Sequence, residues 1–307
     1  MSQGMYLRYF RLREFPFSIT PDTSFYFSSG ASQQALNTLL VAARSGEGFI
    51  KITGEVGTGK TLLCRQLLLS IGADFHTAYI PNPYLEPMGL LLELADELGA
   101  NIPALNRIPT FEHGHALHKA LNERLMSLAR AGKRVLVCLD EVQAMPIETL
   151  EALRLLTNLE TEKRKLLQVV IFGQPELDDK LSHPSIRQLK QRITFDYHLG
   201  ALTRPEMARY VEHRLAVAGY NGPRMFSRPA LWLMKWRTRG VPRLINIVAH
   251  KALLCAYGQG DPAVGFWSMF EAIKDTATLR IPVRRMAWGS VLICGLGVIA
   301  LGVTRFA

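Results

Sequence analysis

The stretch Gly54-Glu55-Val56-Gly57-Thr58-Gly59-Lys60-Thr61 lies between an apolar run, residues 49–53, and a mixed one, residues 60–70. Its spacing is G-x-x-x-x-G-K-[ST], the P-loop pattern. Small residues let such a loop curl until its backbone N–H groups face one anion. The helix that follows aims its positive end at the same point. A lysine in this place reaches the β and γ phosphates of a nucleotide, and the next hydroxyl ligates Mg²⁺. The stretch therefore predicts a strand, a phosphate loop and a helix. ATP is the expected ligand, held by Gly54, Glu55, Val56, Gly57, Thr58, Gly59, Lys60 and Thr61, with Mg²⁺ on Thr61.

Further along, Val135-Leu136-Val137-Cys138-Leu139-Asp140-Glu141 reads as a buried strand ending in two carboxylates. Ligands of open α/β sheets bind at that carboxyl edge. Asp140 is expected to hold Mg²⁺ through water. Glu141 is expected to orient and polarise an attacking water. Four other residues are weaker candidates. Gln174 follows an apolar strand and could touch the γ-phosphate or the water; otherwise it is a loop-capping amide. Arg187 and Arg192 flank the last strand of the domain, and either could reach a neighbouring subunit's nucleotide as an arginine finger. Their ordinary reading is solvated helix charge. Arg243, in Gly240-Val241-Pro242-Arg243, could contact the nucleotide from a lid, or be a surface arginine.

Hydrophobic periodicity places helices at 32–44, 60–70, 87–99, 113–130, 147–160 and 184–191. Strands are expected at 49–53, 76–80, 134–139, 167–172 and 193–197, with a loop at 100–111. The alternation implies a parallel sheet covered on both faces. After Leu202 the pattern changes to helices at 205–218, 229–237 and 243–257, with no strand. The expected organisation is an N-terminal segment, 1–30, packed on the α/β core through Phe15, Phe17, Phe25, Tyr26 and Phe27; an α/β domain, 31–202; a helical lid, 203–258; a linker, 259–285; and a last segment, 286–304.

That last segment has no charged residue and is mostly apolar. Nineteen helical residues span roughly 28 Å, close to the thickness of a bilayer's hydrocarbon core. Arg280, Arg284 and Arg285 precede it and Arg305 follows, so a single transmembrane helix is expected, with its N-terminal side in the cytoplasm. Residues 1–10 contain no apolar core of a secretory leader.

Composition agrees with a folded chain. Of its 307 residues 48% are hydrophobic and 20% charged, which argues against wholesale disorder. The net charge of +10 suits acidic partners: nucleotide, nucleic acid or an anionic membrane face. The four cysteines, Cys64, Cys138, Cys255 and Cys294, have neither metal-ligand nor redox spacing and read as reduced thiols. His113, His115 and His118 lack the H-E-x-x-H pattern and read as ordinary histidines.

Taken together, the motifs resemble the AAA+ ATPases of the general secretion pathway protein A (ExeA-like) family, over roughly residues 5–260. The resemblance rests on Phe15-Pro16-Phe17-Ser18-Ile19-Thr20-Pro21, on the P-loop with its strand, and on Leu139-Asp140-Glu141-Val142-Gln143-Ala144. It continues through residues 151–160, Phe172-Gly173-Gln174-Pro175-Glu176-Leu177, Leu189-Lys190-Gln191-Arg192-Ile193 and Gly240-Val241-Pro242-Arg243-Leu244-Ile245-Asn246. It implies a P-loop NTPase core with a helical lid, working as a ring or other homo-oligomer. By that analogy Gln174 is sensor 1, Arg192 the finger and Arg243 sensor 2. The implied function is an ATP-hydrolysing motor or assembly ATPase at the cytoplasmic face of the bacterial inner membrane. It would serve biogenesis of a type IV (MSHA-like) pilus or secretion apparatus, with that apparatus's proteins as partners. A DNA-associated AAA+ ATPase of the transposition type is the alternative, since the basic surplus would suit DNA. Members with a membrane helix often carry a periplasmic peptidoglycan-binding domain after it. Only Arg305, Phe306 and Ala307 follow here, so wall binding is not expected of this chain by itself.

Overall fold

Strand β1 (Phe49–Thr53) is buried at all five positions, as a strand covered on both faces must be. The computed structural model describes residues 3–46, 48–81, 84–102, 111–157, 160–161 and 164–279. In it β1 lies in a five-stranded parallel sheet with β2 (Phe75–Ile80), β3 (Arg134–Leu139), β6 (Leu167–Gly173) and β7 (Ile193–His198), in the order β2-β3-β6-β1-β7. Side chains alternate across a strand, so each strand feeds two cores. Ile50, Ile52, Leu136, Cys138, Val170 and Phe172 pack with Leu36 and Leu39 of α2 (Gly30–Ser45) and Leu63 and Leu67 of α3 (Lys60–Ser70). Phe49, Val135, Val137, Leu139, Val169 and Ile171 face the other way, onto α4 (Pro87–Glu97), α5 (Phe111–Arg130) and α6 (Ile147–Leu156).

The register sets the site. Thr53 pairs with Gly173, and Leu139 with Ile171, so the carboxyl ends of β1, β6 and β3 lie in a row. The P-loop, Gln174 and the Asp140-Glu141 pair leave from those three ends, with Gln174 in the middle.

Four sequence expectations need correction. The helix at 147–160 stops at Leu156. The Thr157 hydroxyl donates to the Arg154 carbonyl at 2.7 Å, a local bond that competes with further helix. Residues beyond form a small antiparallel ribbon, β4 (Glu160–Thr161) with β5 (Arg164–Lys165). The short helix at 184–191 is two elements, a 3-10 turn and α8 (Arg187–Arg192), preceded by α7 (Glu176–Leu181).

The expected linker holds a helix. Beyond α9 (Arg204–Val217), α10 (Arg228–Thr238) and α11 (Pro242–Gln259), α12 (Phe266–Lys274) buries Met269, Ala272 and Ile273 in the core of the helical subdomain. That i, i+3, i+4 pattern is only one helical turn long and follows Gly and Pro, which hid it. Phe226 and Val264 also form an isolated parallel bridge where no strand is expected.

The aromatic residues of the N-terminal segment pack on the helical subdomain, while the segment meets the α/β core near Pro21, whose carbonyl accepts from Arg65 of α3 at 2.9 Å. Tyr6, in the middle of α1 (Gln3–Tyr9), and Phe10, just after it, join Phe17 and Phe25 in one cluster with Met207, Phe226, Ile245 and Leu253. Both faces of the sheet are already covered by helices, so the aromatic residues find apolar surface only there. Arg214 of α9 fixes the segment by donating to the Pro16 carbonyl and lying over the Phe25 ring at 4.6 Å. Residues 280–307, with the expected membrane span at 286–304, lie outside the described residues. Among the described residues no helix is long and apolar enough to cross a membrane.

Candidate nucleotide site

The loop between β1 and α3 is shaped by two glycines with positive φ, Gly57 (83°) and Gly59 (103°). Its curl is closed by the Thr58 hydroxyl, which donates to the Glu55 carbonyl at 2.9 Å. Lys60 is buried and donates to the Gly54 carbonyl at 2.7 Å and the Glu55 carbonyl at 3.1 Å. Burial pushes its ammonium below the usual lysine range; Glu141, Asp140, Glu55 and Glu176 oppose that shift without cancelling it. The first-turn N–H groups of α3 have no intrahelical acceptor, and Gly59 at the cap supplies no side chain to take one. A Cβ built on Gly59 meets nothing within 4 Å, so the mouth of this donor ring is open. The cradle fits a polyphosphate.

Across the mouth, the Thr61 hydroxyl donates to Asp140 Oδ2 at 2.5 Å. Burial raises the Asp140 carboxyl above its ordinary value, against the lowering effect of the Thr61 hydroxyl and the Glu141 N–H. A hydroxyl and a carboxylate brought together beside a phosphate cradle are the hard oxygen donors that suit Mg²⁺.

Glu141 occupies the left-handed region at φ 53°, a conformation that strains a residue with a Cβ by about 1–3 kcal/mol. Its carboxylate accepts from the Gln143 amide at 2.7 Å and the Gln174 amide at 3.0 Å, both at Oε2. Burial raises the Glu141 carboxyl, but these two bonds and the Lys60 charge outweigh it, leaving the group below the usual glutamate range. Gln143 Oε1 in turn accepts from the Gln174 backbone N–H at 3.0 Å. Lys180 holds the same turn by donating to the carbonyls of Gln143 and Met145, each at 2.6 Å. Gln143 and Lys180 escaped sequence reasoning as site residues, since neither type signals such a role by itself.

Of the remaining candidates, Arg243 reaches the loop. Its backbone N–H donates to the Gly57 carbonyl at 3.1 Å, and a Cβ on Gly57 would come within 2.4 Å of Arg243 Cβ. Arg192 does not share the site of its own chain. It precedes Ile193, which pairs with Phe49 at the far end of β1, roughly 13 Å along the strand from Thr53. There it donates to Thr157 Oγ1 at 3.2 Å and to the Arg154 carbonyl at 3.4 Å. Arg187 is exposed at the start of α8. His115 and His118 are exposed on α5, and the side chain of His113 lies outside the described residues.

Known proteins place this geometry. Residues 43–181 match the family described as AAA domain. Over 278 residues the chain is 39% identical to General secretion pathway protein A of Aeromonas hydrophila, a match that covers 90% of this chain. It spans about half, 49%, of that relative's length. Among solved structures, the Aeropyrum pernix ORC2 protein, described as ADPNP–ADP complexes, superposes with a TM-score of 0.61 at 18% identity, covering 84% of this chain and 69% of that one. Cdc6p of Pyrobaculum aerophilum gives 0.62 at 19% identity, covering 83% and 71%. At such identities the likeness shows the fold alone. The chain thus has a parallel-sheet P-loop NTPase fold, matches the AAA domain over residues 43–181, and is similar to General secretion pathway protein A.

Proposed function

We propose that this chain hydrolyses ATP as an AAA+ motor or assembly ATPase. It acts at the cytoplasmic face of the bacterial inner membrane, in biogenesis of a type IV pilus of the MSHA kind (the role of the MSHA pilus biogenesis ATPase, MshM) or of a secretion apparatus. The observation that carries the enzymatic reading is the Glu141 carboxylate, fixed through Oε2 by Gln143 and Gln174 beside Lys60, Thr61 and Asp140. A nucleotide-binding protein without hydrolysis has no need of a strained, ionised carboxylate held there.

The residues divide the work. Lys60 would exchange the Gly54 and Glu55 carbonyls for phosphate oxygens, and the α3 N–H groups would bind the same anion. Thr61 and Asp140 would hold Mg²⁺, which when bound neutralises charge on the transferring phosphoryl group. Glu141 takes the proton of the attacking water, and Gln174 orients that water or the γ-phosphate. Arg243 closes the site from the helical subdomain. Arg192, too far from its own loop, would serve the nucleotide of a neighbouring copy, which supports a homo-oligomer with shared sites.

The cellular setting rests on the 39% identity to a secretion pathway protein and on the apolar segment at 286–304 with its flanking arginines. The single experiment is ATP turnover by the detergent-solubilised full chain. The wild type should release phosphate and Glu141→Gln should bind ATP while losing ~10²–10⁴ in rate. Equal turnover by the two would end the enzymatic assignment of Glu141. The charge of +10 supports a second reading, a DNA-associated ATPase. Retardation of DNA by the full chain, weakening with salt, would favour it.

A further inference from the structure

Three of the chain's four tryptophans stand on the outside of the helical subdomain. Trp232 and Trp236, one turn apart on α10, are 49% and 59% exposed and stack with centroids 6.1 Å apart. On α12, Trp267 is 71% exposed, with Phe266 and Phe270 exposed against it. Isolated apolar side chains on a surface are ordinary, but five large aromatic ones on two adjoining helices mark an interaction face.

The two helices run side by side. They start at the Phe226–Val264 bridge, where the Ser227 N–H donates to the Val264 carbonyl at 3.0 Å. They are tied again at the far end, where the Arg237 guanidinium donates to the Leu279 carbonyl. Trp236, Arg237, Thr278 and Leu279 share the wall of one open cavity of about 690 Å³. The chain therefore leaves the described structure beside the aromatic face. Arg280, Arg284 and Arg285 come next, then the charge-free residues 286–304. From Leu279 to Met286 an extended chain reaches ~24 Å at most.

Charge points the same way. Helix α10 carries Arg228, Lys235 and Arg237 and no carboxylate, and Arg239 follows it. The acidic side chains of α12 and its cap are paired, Glu271 with Lys274 and Asp275 with Lys251. Tryptophan favours the membrane–water interface, and basic residues near an anionic leaflet are attracted to it.

We propose that α10 and α12 form a membrane-docking face that seats the helical subdomain on anionic lipid headgroups, in the leaflet where residues 286–304 enter the bilayer. This rests on the membrane-spanning reading of 286–304, and the fourth tryptophan, Trp288, lies inside that segment and tests it separately. Two full-length variants are needed. One keeps only Trp236 (Trp232→Phe, Trp267→Phe, Trp288→Phe) and the other only Trp288 (Trp232→Phe, Trp236→Phe, Trp267→Phe). Each is reconstituted in phosphatidylcholine vesicles with or without phosphatidylglycerol, part of the lipid being brominated near the headgroup end of its acyl chains. With phosphatidylglycerol present, Trp236 emission should fall by about half or more, as expected of a ring in the interface. The fall should be smaller in phosphatidylcholine alone and at high salt. Quenching of Trp288 without Trp236 would overturn the docking face and leave the span. Quenching of neither would overturn both. Quenching of Trp236 without Trp288 would support the face and overturn the span. A blue-shifted but unquenched Trp236 would show a protein cover, from a second copy or residues 280–307, and would overturn the proposal. So would a Trp236 that responds to duplex DNA and not to brominated lipid.

Discussion

The Gln174 side chain donates to the Glu141 carboxylate at 3.0 Å while the Gln174 backbone N–H donates to Gln143 Oε1, so one residue at the end of β6 meets the end of β3 through two separate bonds. Gln143 completes the triangle by donating to the same carboxylate oxygen at 2.7 Å. Glu141 is thereby held by groups on both strands, and any shift of β6 against β3 moves its carboxylate.

Gln143→Leu should therefore act on chemistry and not on binding. The substitution keeps the side chain's bulk and removes both the donor to Glu141 and the acceptor for Gln174. We expect the turnover number to fall about tenfold or more, a part of what positioned general-base catalysis contributes. ATP affinity should be unchanged. The pH dependence separates this from simple damage. A carboxylate can act as a base only when ionised, and the two amide donors help hold the Glu141 carboxyl below the usual range. Losing one donor moves that value up, so the acid limb of the rate profile should shift to higher pH. A lower rate with an unmoved acid limb would count against Glu141 as the titrating base.

Gly57→Ala tests the contact between the loop and the helical subdomain. The residue sits at φ 83°, where a Cβ costs about 1–2 kcal/mol from backbone strain alone. The new methyl would also meet Arg243 Cβ at 2.4 Å, and the nearby Gly57–Arg243 backbone bond would be forced apart. Loss of most ATP binding is expected, together with a lower melting temperature. Gly59→Ala shares the positive φ but meets no neighbour, so it should cost less thermal stability. Equal melting temperatures for the two variants would show that the Arg243 contact carries no weight.

Asp140→Asn should make the nucleotide-free protein more stable and inactive. Burial raises the Asp140 carboxyl in the folded chain above its unfolded value. A carboxyl shifted in this direction favours the fold below the unfolded value, when it is protonated. That advantage is lost as pH rises through the window between the unfolded and folded values. Above that window the ionised Asp140 is thus a burden, which a bound cation would offset. The amide removes the charge; its one oxygen can accept from the Glu141 N–H, as Asp140 Oδ1 does, while its NH2 donates to the Thr61 hydroxyl. Calorimetry near neutral pH should give a higher melting temperature for Asp140→Asn without nucleotide. With Mg²⁺ and ATP the wild type should gain more than the variant. A variant melting below the wild type in the absence of ligand would contradict the raised carboxyl.

What was legible in the sequence was what local spacing controls. The P-loop needs its residues in one order, so β1, the loop and α3 could be read together, and Asp140-Glu141 at the end of an apolar run fixed the second strand. Gln143 and Lys180 were not legible as site residues, because their roles depend on the turn after β3 meeting the end of β6, a non-local contact. The aromatic N-terminal segment could be seen to need burial, but nothing in Phe15 or Phe17 says which surface receives them. The choice fell to Arg214 and the helices of the subdomain. Helix α12 was masked by its one short apolar turn between Gly265 and Asp275.

Arg192 can act as a finger on a neighbour or as a cap on its own chain, and the two roles are separable by mutation. A finger supplied by another subunit is worth ~10³–10⁵ in rate. Arg192→Ala should accordingly abolish most turnover and leave ATP binding by the subunit intact. Yet Arg192 also donates to Thr157 Oγ1 and the Arg154 carbonyl at the end of α6, and losing those bonds alone could disturb the fold. Thr157→Val is the control: it removes the hydroxyl acceptor and keeps the guanidinium. If Arg192 works as a finger, Thr157→Val retains most activity. If it works as a cap, the two variants lose activity together and melt at similarly reduced temperatures. Mixing supplies the positive evidence. Arg192→Ala has an intact P-loop and Lys60→Ala an intact arginine, so a mixed interface joins one of each. Recovery of part of the activity on mixing the two inactive proteins is the expected outcome. Impaired turnover in Arg192→Ala that no partner restores, with Thr157→Val impaired alike, would return Arg192 to a structural role at the end of α6.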